Sequence, residues 1–267
     1  MIPTILPTSE PPFLDSTSSR REVEKPASLA GGNPYDAIAE LYDPWSRSVT
    51  EDVPLYLEEA RRAGGPVVEL AVGTGRIAIP IAAEGIRVIG VDASPGMLAV
   101  CRERAELAGV SKLIELRLGD LREPPVEERV RLVICPFRSL LHLHTDEDRL
   151  RALRAARAIL LPGGRLVFDI FAPSADDIAE THGRWLEREL GIFEKAEWDE
   201  EARTLTLSVR SVSGSATMTL AWISPEEWRS LLTRAGLEVV ACYGWFDRRA
   251  YEGEEDMIWI ARRPAVR

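Results

Sequence analysis

Residues 67–82, VVELAVGTGRIAIPIA, run from a continuous apolar stretch through two close glycines, Gly73 and Gly75, into a helical spacing. A strand, a tight turn and a helix in that order point the helix N-terminus at whatever the turn holds. Gly73 to Ala78 satisfies G-x-G-x-x-G/A in its loose form, and Asp92 follows Gly75 by 17 residues, at the end of the next apolar run. A dinucleotide fingerprint uses the same parts, with the pyrophosphate on the helix and an acid on the ribose. A P-loop is excluded, because no Gly-Lys-Ser/Thr follows the glycines. Glu69 sits inside the first strand, two residues before the bend. Its carboxylate would repel a pyrophosphate and favour a cationic amine.

Outward from this stretch the chain alternates strands and helices. "IRVIGVD", "KLIELRLGD", "VRLVICPF" and "RLVFDIF" are apolar runs suited to strands buried on both faces. "RIAIPIAAEG", "SPGMLAVCRERAELAG" and "TDEDRLRALRAARAILLPGG" are the helices between them. Repeated βα units of this length predict a doubly wound parallel sheet, an α/β fold. At about 183–223 the period changes to two, clearest in "TLTLSVRSV" and "ATMTLAWI", predicting an insertion of two or three antiparallel strands. "SPEEWRSLLTRAG" is a helix, and "LEVVACYG" and "DMIWIARRP" are final strands that should pair antiparallel. Residues 1–33 read as a flexible tail and 34–65 as a helical lid segment, leaving 66–267 for the main domain.

The 267 residues are 45% apolar and 28% charged, with a net charge of −10, which disfavours nucleic acid as the main partner. Cys101, Cys135 and Cys242 lack C-x-x-C spacing and fit free thiols. No leader or membrane-length apolar run is apparent, so a cytoplasmic location without membrane attachment is expected. His142 and His144 have no convincing third ligand nearby, so no metal site is expected.

Five motifs then stand in order: "VVELAVGTGRIAIPIA", "VIGVDASPGML", "LRLGDL", "LVICPFRSLLHL" and "ILLPGGRLVFDIF". Together, over about residues 66–172, they resemble class I S-adenosylmethionine-dependent methyltransferases of the small-molecule type. The resemblance implies a Rossmann-like sheet of seven strands, mostly parallel with an antiparallel last strand. It implies S-adenosylmethionine as cofactor and S-adenosylhomocysteine as product. By the same resemblance Glu69, Gly73 and Gly75 line the cofactor's amino-acid end, and Asp92 accepts from both ribose hydroxyls. Ala93 and Met97 flank the adenine, Asp120 and Leu121 meet its amino edge, and Pro136 begins the loop facing the methyl group. One departure stands out: Ala71 replaces a glycine usual in the family, removing a permissive backbone position.

Methyl transfer from a sulfonium needs alignment and exclusion of water more than a fixed catalytic residue. After the fourth strand, Arg138 would hold a substrate carboxylate, and His142 or His144 would take a proton if one must leave. In the N-terminal segment Tyr35, Tyr42, Trp45 and Arg47 would cover the cofactor, their aromatic faces favouring a cation, with Tyr42 the strongest candidate. Cys135-Pro136-Phe137-Arg138 lacks the polar acceptor and the Pro-Pro-Tyr of amino-methylating relatives that act on nucleobases or glutamine. Trp185, Trp198 and Trp222 of the insertion would line an apolar pocket, form a dimer interface or pack the insertion on the sheet. The expected partner is a small-molecule methyl acceptor, taken on an O or N nucleophile by a monomer or homodimer. Two other readings remain open. A nicotinamide-dependent oxidoreductase would need Tyr-x-x-x-Lys, which is missing, and Ala71 points to a cofactor-binding regulatory protein without turnover.

Overall fold

The structure, a computed structural model, describes residues 33–46, 50–253 and 256–265. The expected tail, apart from Asn33, and Arg47 lie outside the described residues. The N-terminal segment opens as a 3-10 turn, Pro34–Ile38, and continues as α1 (Ala39–Trp45) and α2 (Val53–Ala63). Gly64, at φ +61°, stops α2 in the left-handed conformation that glycine adopts freely.

The alternating half follows as β1 (Val67–Leu70), α3 (Ala78–Ala83), β2 (Val88–Asp92), α4 (Pro95–Leu107), β3 (Ile114–Leu118), β4 (Val130–Cys135), α5 (Asp146–Ile159) and β5 (Leu160–Phe171). Then come α6 (Ala175–Thr181), β6 (Trp185–Glu189), β7 (Ile192–Asp199), β8 (Thr204–Ser211), β9 (Gly214–Ala221), α7 (Pro225–Arg234), β10 (Glu238–Tyr243) and β11 (Asp256–Arg262). One sheet has the order β3-β2-β1-β4-β5-β11-β10, parallel from β3 to β5, with β11 running antiparallel to both neighbours. All four residues of β1 are buried, as a strand covered by helices on both faces requires. The chain leaves β1 toward β2 on one side and reaches β4 on the other, so the sheet order reverses there. Open α/β sheets bind ligands beyond the strand ends at such a reversal.

The insertion is a separate four-stranded antiparallel sheet, β6-β7-β8-β9, one strand or more beyond the sequence expectation. Every residue of β6, Trp-Leu-Glu-Arg-Glu, is half-buried, so the edge strand shows no two-residue alternation to read. The short helix α6 also went unanticipated, although Ser174 caps it by accepting from the Asp177 amide. Helix α5 ends at Ile159 and not in the glycine pair: Leu160 is already extended, and Pro162 has no amide to continue the helix. The N-terminal segment packs against α4 and the insertion through its first part and against β4 through α2. Ile38 and Leu41 are buried with Ile192, Val209 and Met218 of the insertion.

Glu59, on α2, is fully buried and surrounded by arginines: Arg165 of β5 at 2.9 Å, Arg248 of the β10–β11 connection at 2.6 Å and Arg62 at 3.3 Å. One buried carboxylate thus ties α2 to the sheet and to its final hairpin. Replacing Glu59 with Ala leaves the arginines without their shared acceptor and is expected to lower unfolding free energy by about 3 kcal/mol. Urea denaturation with an unchanged midpoint would contradict this.

Candidate active site

The loop after β1 is the centre of the site. Ala71, Gly73 and Gly75 all have positive φ, at +58°, +55° and +83°. Gly75 has no alternative, because a Cβ there would stand 2.6 Å from the Cys101 sulfur. Ala71 adopts the left-handed conformation despite its side chain, so the loop closes without the family's glycine. Asp92, at the end of β2, clasps the turn. Its Oδ2 accepts from the Gly73 amide and its Oδ1 from the Ser94 amide, both at 2.8 Å. Burial pushes its carboxyl upward, against the pull of those amides. Met97 is buried behind Gly73, its Cε 3.4 Å from where a Cβ would stand, and Ala93 is exposed.

The cleft beside this loop has a cavity volume of about 30 Å³ and is lined by Tyr42, Glu69, Ala71, Gly73, Pro136 and Phe137 among others. Glu69 is 2% exposed, and its Oε2 has no hydrogen-bond partner among the described residues. Burial raises its pKa well above the ordinary carboxylate range; Arg76 opposes this, while Asp52 and Asp92 add to it. A buried acceptor without a donor is costly, and an ammonium group in the cleft would satisfy it. That is the test the cofactor's amino-acid end must meet, and the residues fit it.

The segment from Pro34 to Ser46 is fastened over this loop by its own carboxylates. Asp36 accepts from the Ser94 hydroxyl at 2.5 Å and the Gly96 amide at 2.9 Å, and Asp43 from the Thr74 hydroxyl at 2.6 Å. Asp43 also pairs with Arg104 at 2.7 Å. Trp45 donates to Glu194 of β7 at 2.9 Å, which joins the insertion to the same assembly. Tyr42 faces Tyr35, Trp45 and Phe137 edge-on, at centroid distances of 5.9, 5.9 and 6.2 Å.

After β4, Phe137 and Arg138 both take left-handed conformations, φ +57° and +61°. Asp169 of β5 holds them. Its Oδ1 accepts from the Phe137 amide at 2.8 Å and the Tyr56 hydroxyl at 2.5 Å, and its Oδ2 from the Arg138 amide at 3.0 Å. The Arg76 guanidinium lies 4.8 Å from the centre of the Phe137 ring and bonds both oxygens of Asp52, at 2.7 and 2.5 Å.

Several expected residues are placed differently. The Arg138 guanidinium is paired with Asp256 at 2.9 Å and stacked on Phe171 at 4.5 Å, so a substrate carboxylate would have to share it. His142 lies in the 3-10 turn Ser139–His142, away from the cleft lining, with Nε2 2.9 Å from the Tyr35 hydroxyl. Burial, with His144 nearby, lowers its pKa to about 4 and keeps the ring neutral at pH 7. His144 Nε2 bonds the Thr219 carbonyl of β9. Asp120 stands outside the cleft lining, its carboxylate taken by the Arg122 amide at 2.7 Å, Nε at 2.9 Å and Nη2 at 2.6 Å. Those bonds hold its pKa below the ordinary range. Leu121 is half-buried against the main core. Trp198 packs edge-on against Phe171 and Trp222, and Trp185 lies beside Arg210 and Lys195; none of the three lines the cleft.

Asp36, Asp43, Asp52 and Asp169 escaped the sequence reading. Asp169 alone left a usable signal, an acid within the apolar strand "RLVFDIF", where a carboxylate must find donors. Replacing Ala71 with Gly relieves the left-handed strain and is expected to raise unfolding free energy by about 1 kcal/mol, measured by denaturant titration. A loss of stability would show that Ala71 is not strained.

Residues 67–164 match the family model described as a methyltransferase domain. Over 239 residues the chain is 26% identical to the cypemycin N-terminal methyltransferase of a Streptomyces species, covering 86% of this chain and 94% of the relative. It is 30% identical over 166 residues to the 27-O-demethylrifamycin SV methyltransferase of Amycolatopsis mediterranei, covering 55% of this chain and 60% of that one. The chain spans little more than half the length of some curated relatives it matches, 55% in one from Bacillus subtilis. Among solved structures, the CcbJ methyltransferase of Streptomyces caelestis superposes with a TM-score of 0.76 at 27% identity, covering 88% of this chain and 99% of that one. With the motifs in order and the sheet reversing where they meet, residues 67–164 match a methyltransferase domain, and the chain as a whole has the fold of the methyltransferase it superposes on.

Proposed function

We propose that this chain moves a methyl group from S-adenosylmethionine to an oxygen or nitrogen of a small organic molecule. The observation that carries the reading is the Glu69 carboxylate oxygen, without a partner among the described residues, in a cleft walled by the glycine loop. When bound, the cofactor supplies an electrophilic methyl group: the acceptor's lone pair forms the new bond, and the old bonding pair stays on sulfur. Glu69 takes the ammonium group. Asp92 accepts from the Gly73 and Ser94 amides, and its remaining acceptor capacity serves the ribose hydroxyls. Ala93 and Met97 flank the adenine. Leu121 and Asp120 meet its amino edge, with Arg122 occupying about three of the four acceptor sites on Asp120.

Tyr42, Pro136 and Phe137 close the transfer position. Burial raises the Tyr42 pKa, so its ring stays neutral and presents a π-face to the sulfonium. A neutral amine acceptor needs no base. For a hydroxyl acceptor, Tyr35 takes the proton as it passes its own to the neutral His142. The acidic chain and the carboxylates around the cleft favour an acceptor without phosphates, and the relatives' names give 27-O-demethylrifamycin SV and the N-terminus of cypemycin as acceptors. Among the described residues, no helix is long and apolar enough to cross a membrane.

Calorimetry with S-adenosylhomocysteine should show binding where NADH shows none. Asp92→Ala should weaken that binding by about 2 kcal/mol, roughly thirtyfold. No binding by the unaltered chain would sink the reading. A panel of amines and alcohols, followed by S-adenosylhomocysteine formation, tests the acceptor class, and turnover confined to nucleic acids or large proteins would overturn it.

A further inference from the structure

The turn after β4 is built against its own backbone preference. Neither Phe137 nor Arg138 is a glycine, and two consecutive left-handed residues with side chains cost energy that something must offset. The two amides such a turn points the same way form an anion-binding concavity, and here the anion is the Asp169 carboxylate, 5% exposed. The turn it shapes carries Phe137, whose ring meets Tyr42 and Arg76 at the cleft, and Arg138, whose side chain crosses to Asp256 and Phe171.

We propose that ionised Asp169 is the positioning residue of the methyl-transfer site, and that a proton on its Oδ2 releases the turn at Arg138. The proposal rests on the transfer site assigned above. The two oxygens are not equivalent: Oδ1 serves both the Tyr56 hydroxyl and the Phe137 amide, whereas among the described residues Oδ2 serves the Arg138 amide alone. A proton therefore goes to Oδ2, where it meets the Arg138 N–H head-on and turns an acceptor into a donor. The Phe137 bond, on Oδ1, survives.

The charged and titratable neighbours are consistent with this. Asp52, just before α2, raises the Asp169 pKa and the Tyr56 hydroxyl of α2 lowers it. The Arg138 charge and the Phe137 amide lower it too, but burial is the largest influence, and the carboxyl is pushed up to about 6. Arg76, across the cleft, stays cationic, and Cys135 of β4 and Tyr56 are pushed upward and stay neutral. The switch thus falls just below neutral pH. Taken alone, the raised pKa makes folding stability fall as pH rises from about 4 to about 6, so loosening in acid would be local to the turn and not a global loss.

Amide hydrogen exchange tests this without any acceptor or cofactor, so it stands or falls apart from the methyl-transfer reading. In the full chain, the protection factor of the Arg138 amide should drop about tenfold between pH 7.5 and pH 5.0. Those of Phe137 and of the β4 amides Val133 and Ile134 should hold. In Asp169→Asn the Arg138 amide should be unprotected at both pH values. Protection at Arg138 that does not change with pH, or that falls in step with β4, would overturn the proposal. If the variant does not fold, the two measurements on the unaltered chain still decide.

Discussion

The Gly73 amide donates to Asp92 across the gap between β1 and β2, and the rest of the site is arranged around that contact. The parallel register pairs Leu70 with Val91, and the Val72 amide continues the ladder by one bond to the Val91 carbonyl at 3.0 Å. Beyond that point the two strands diverge, one into the glycine loop and the other into the start of α4. A single carboxylate bridges the divergence, with one oxygen on each side. Ser94 then caps α4 by accepting from the Met97 amide and donates its own hydroxyl to Asp36, which brings the N-terminal segment into register with the loop. Loss of the bridge would free three elements together.

The same edge of the sheet concentrates negative charge. Asp36, Asp43, Asp52, Glu69, Asp92 and Asp169 approach it from six elements or loops, and most are satisfied by backbone amides, hydroxyls or the guanidinium groups of Arg76 and Arg104. Glu69 keeps an oxygen without a donor among the described residues. Such a site favours a ligand that brings a cation and penalises linked phosphates, because charges a few ångströms apart in a buried cleft interact strongly. The glycine loop by itself does not distinguish these ligands; the acids around it do.

This also marks how far the sequence was legible. The alternation of strands and helices and the antiparallel final pair follow from apolar runs and turn residues, which are local properties, whereas the count of seven strands came with the family resemblance. Glu69, Gly73 and Asp92 were readable because strand, turn and acid have to follow one another closely in sequence. Asp120 follows β3 as expected, but the bond from Arg122, two residues on, to its carboxylate was not legible, because competition between neighbours leaves no periodic trace. Arg138 was expected free for a substrate, yet its partner Asp256 lies 118 residues away on the reversed strand. The fourth insertion strand was hidden by uniform half-burial, not by any irregular backbone.

Backbone strain gives the last connection. Five non-glycine residues among those described have positive φ, and Ala71, Phe137 and Arg138 are three of them, all at or beside the cleft. Each needs support from its surroundings, since the conformation is unfavourable in isolation. The two strained turns obtain it in the same way: a carboxylate from the neighbouring strand, Asp92 for the loop after β1 and Asp169 for the loop after β4, accepts the amides that the turn exposes. Backbone amides pointed into a carboxylate are strong bonds for their size. The two turns facing each other across the sheet's reversal are therefore built by one device used twice. It rigidifies both walls of the cleft, at sites where in-line transfer tolerates little misplacement.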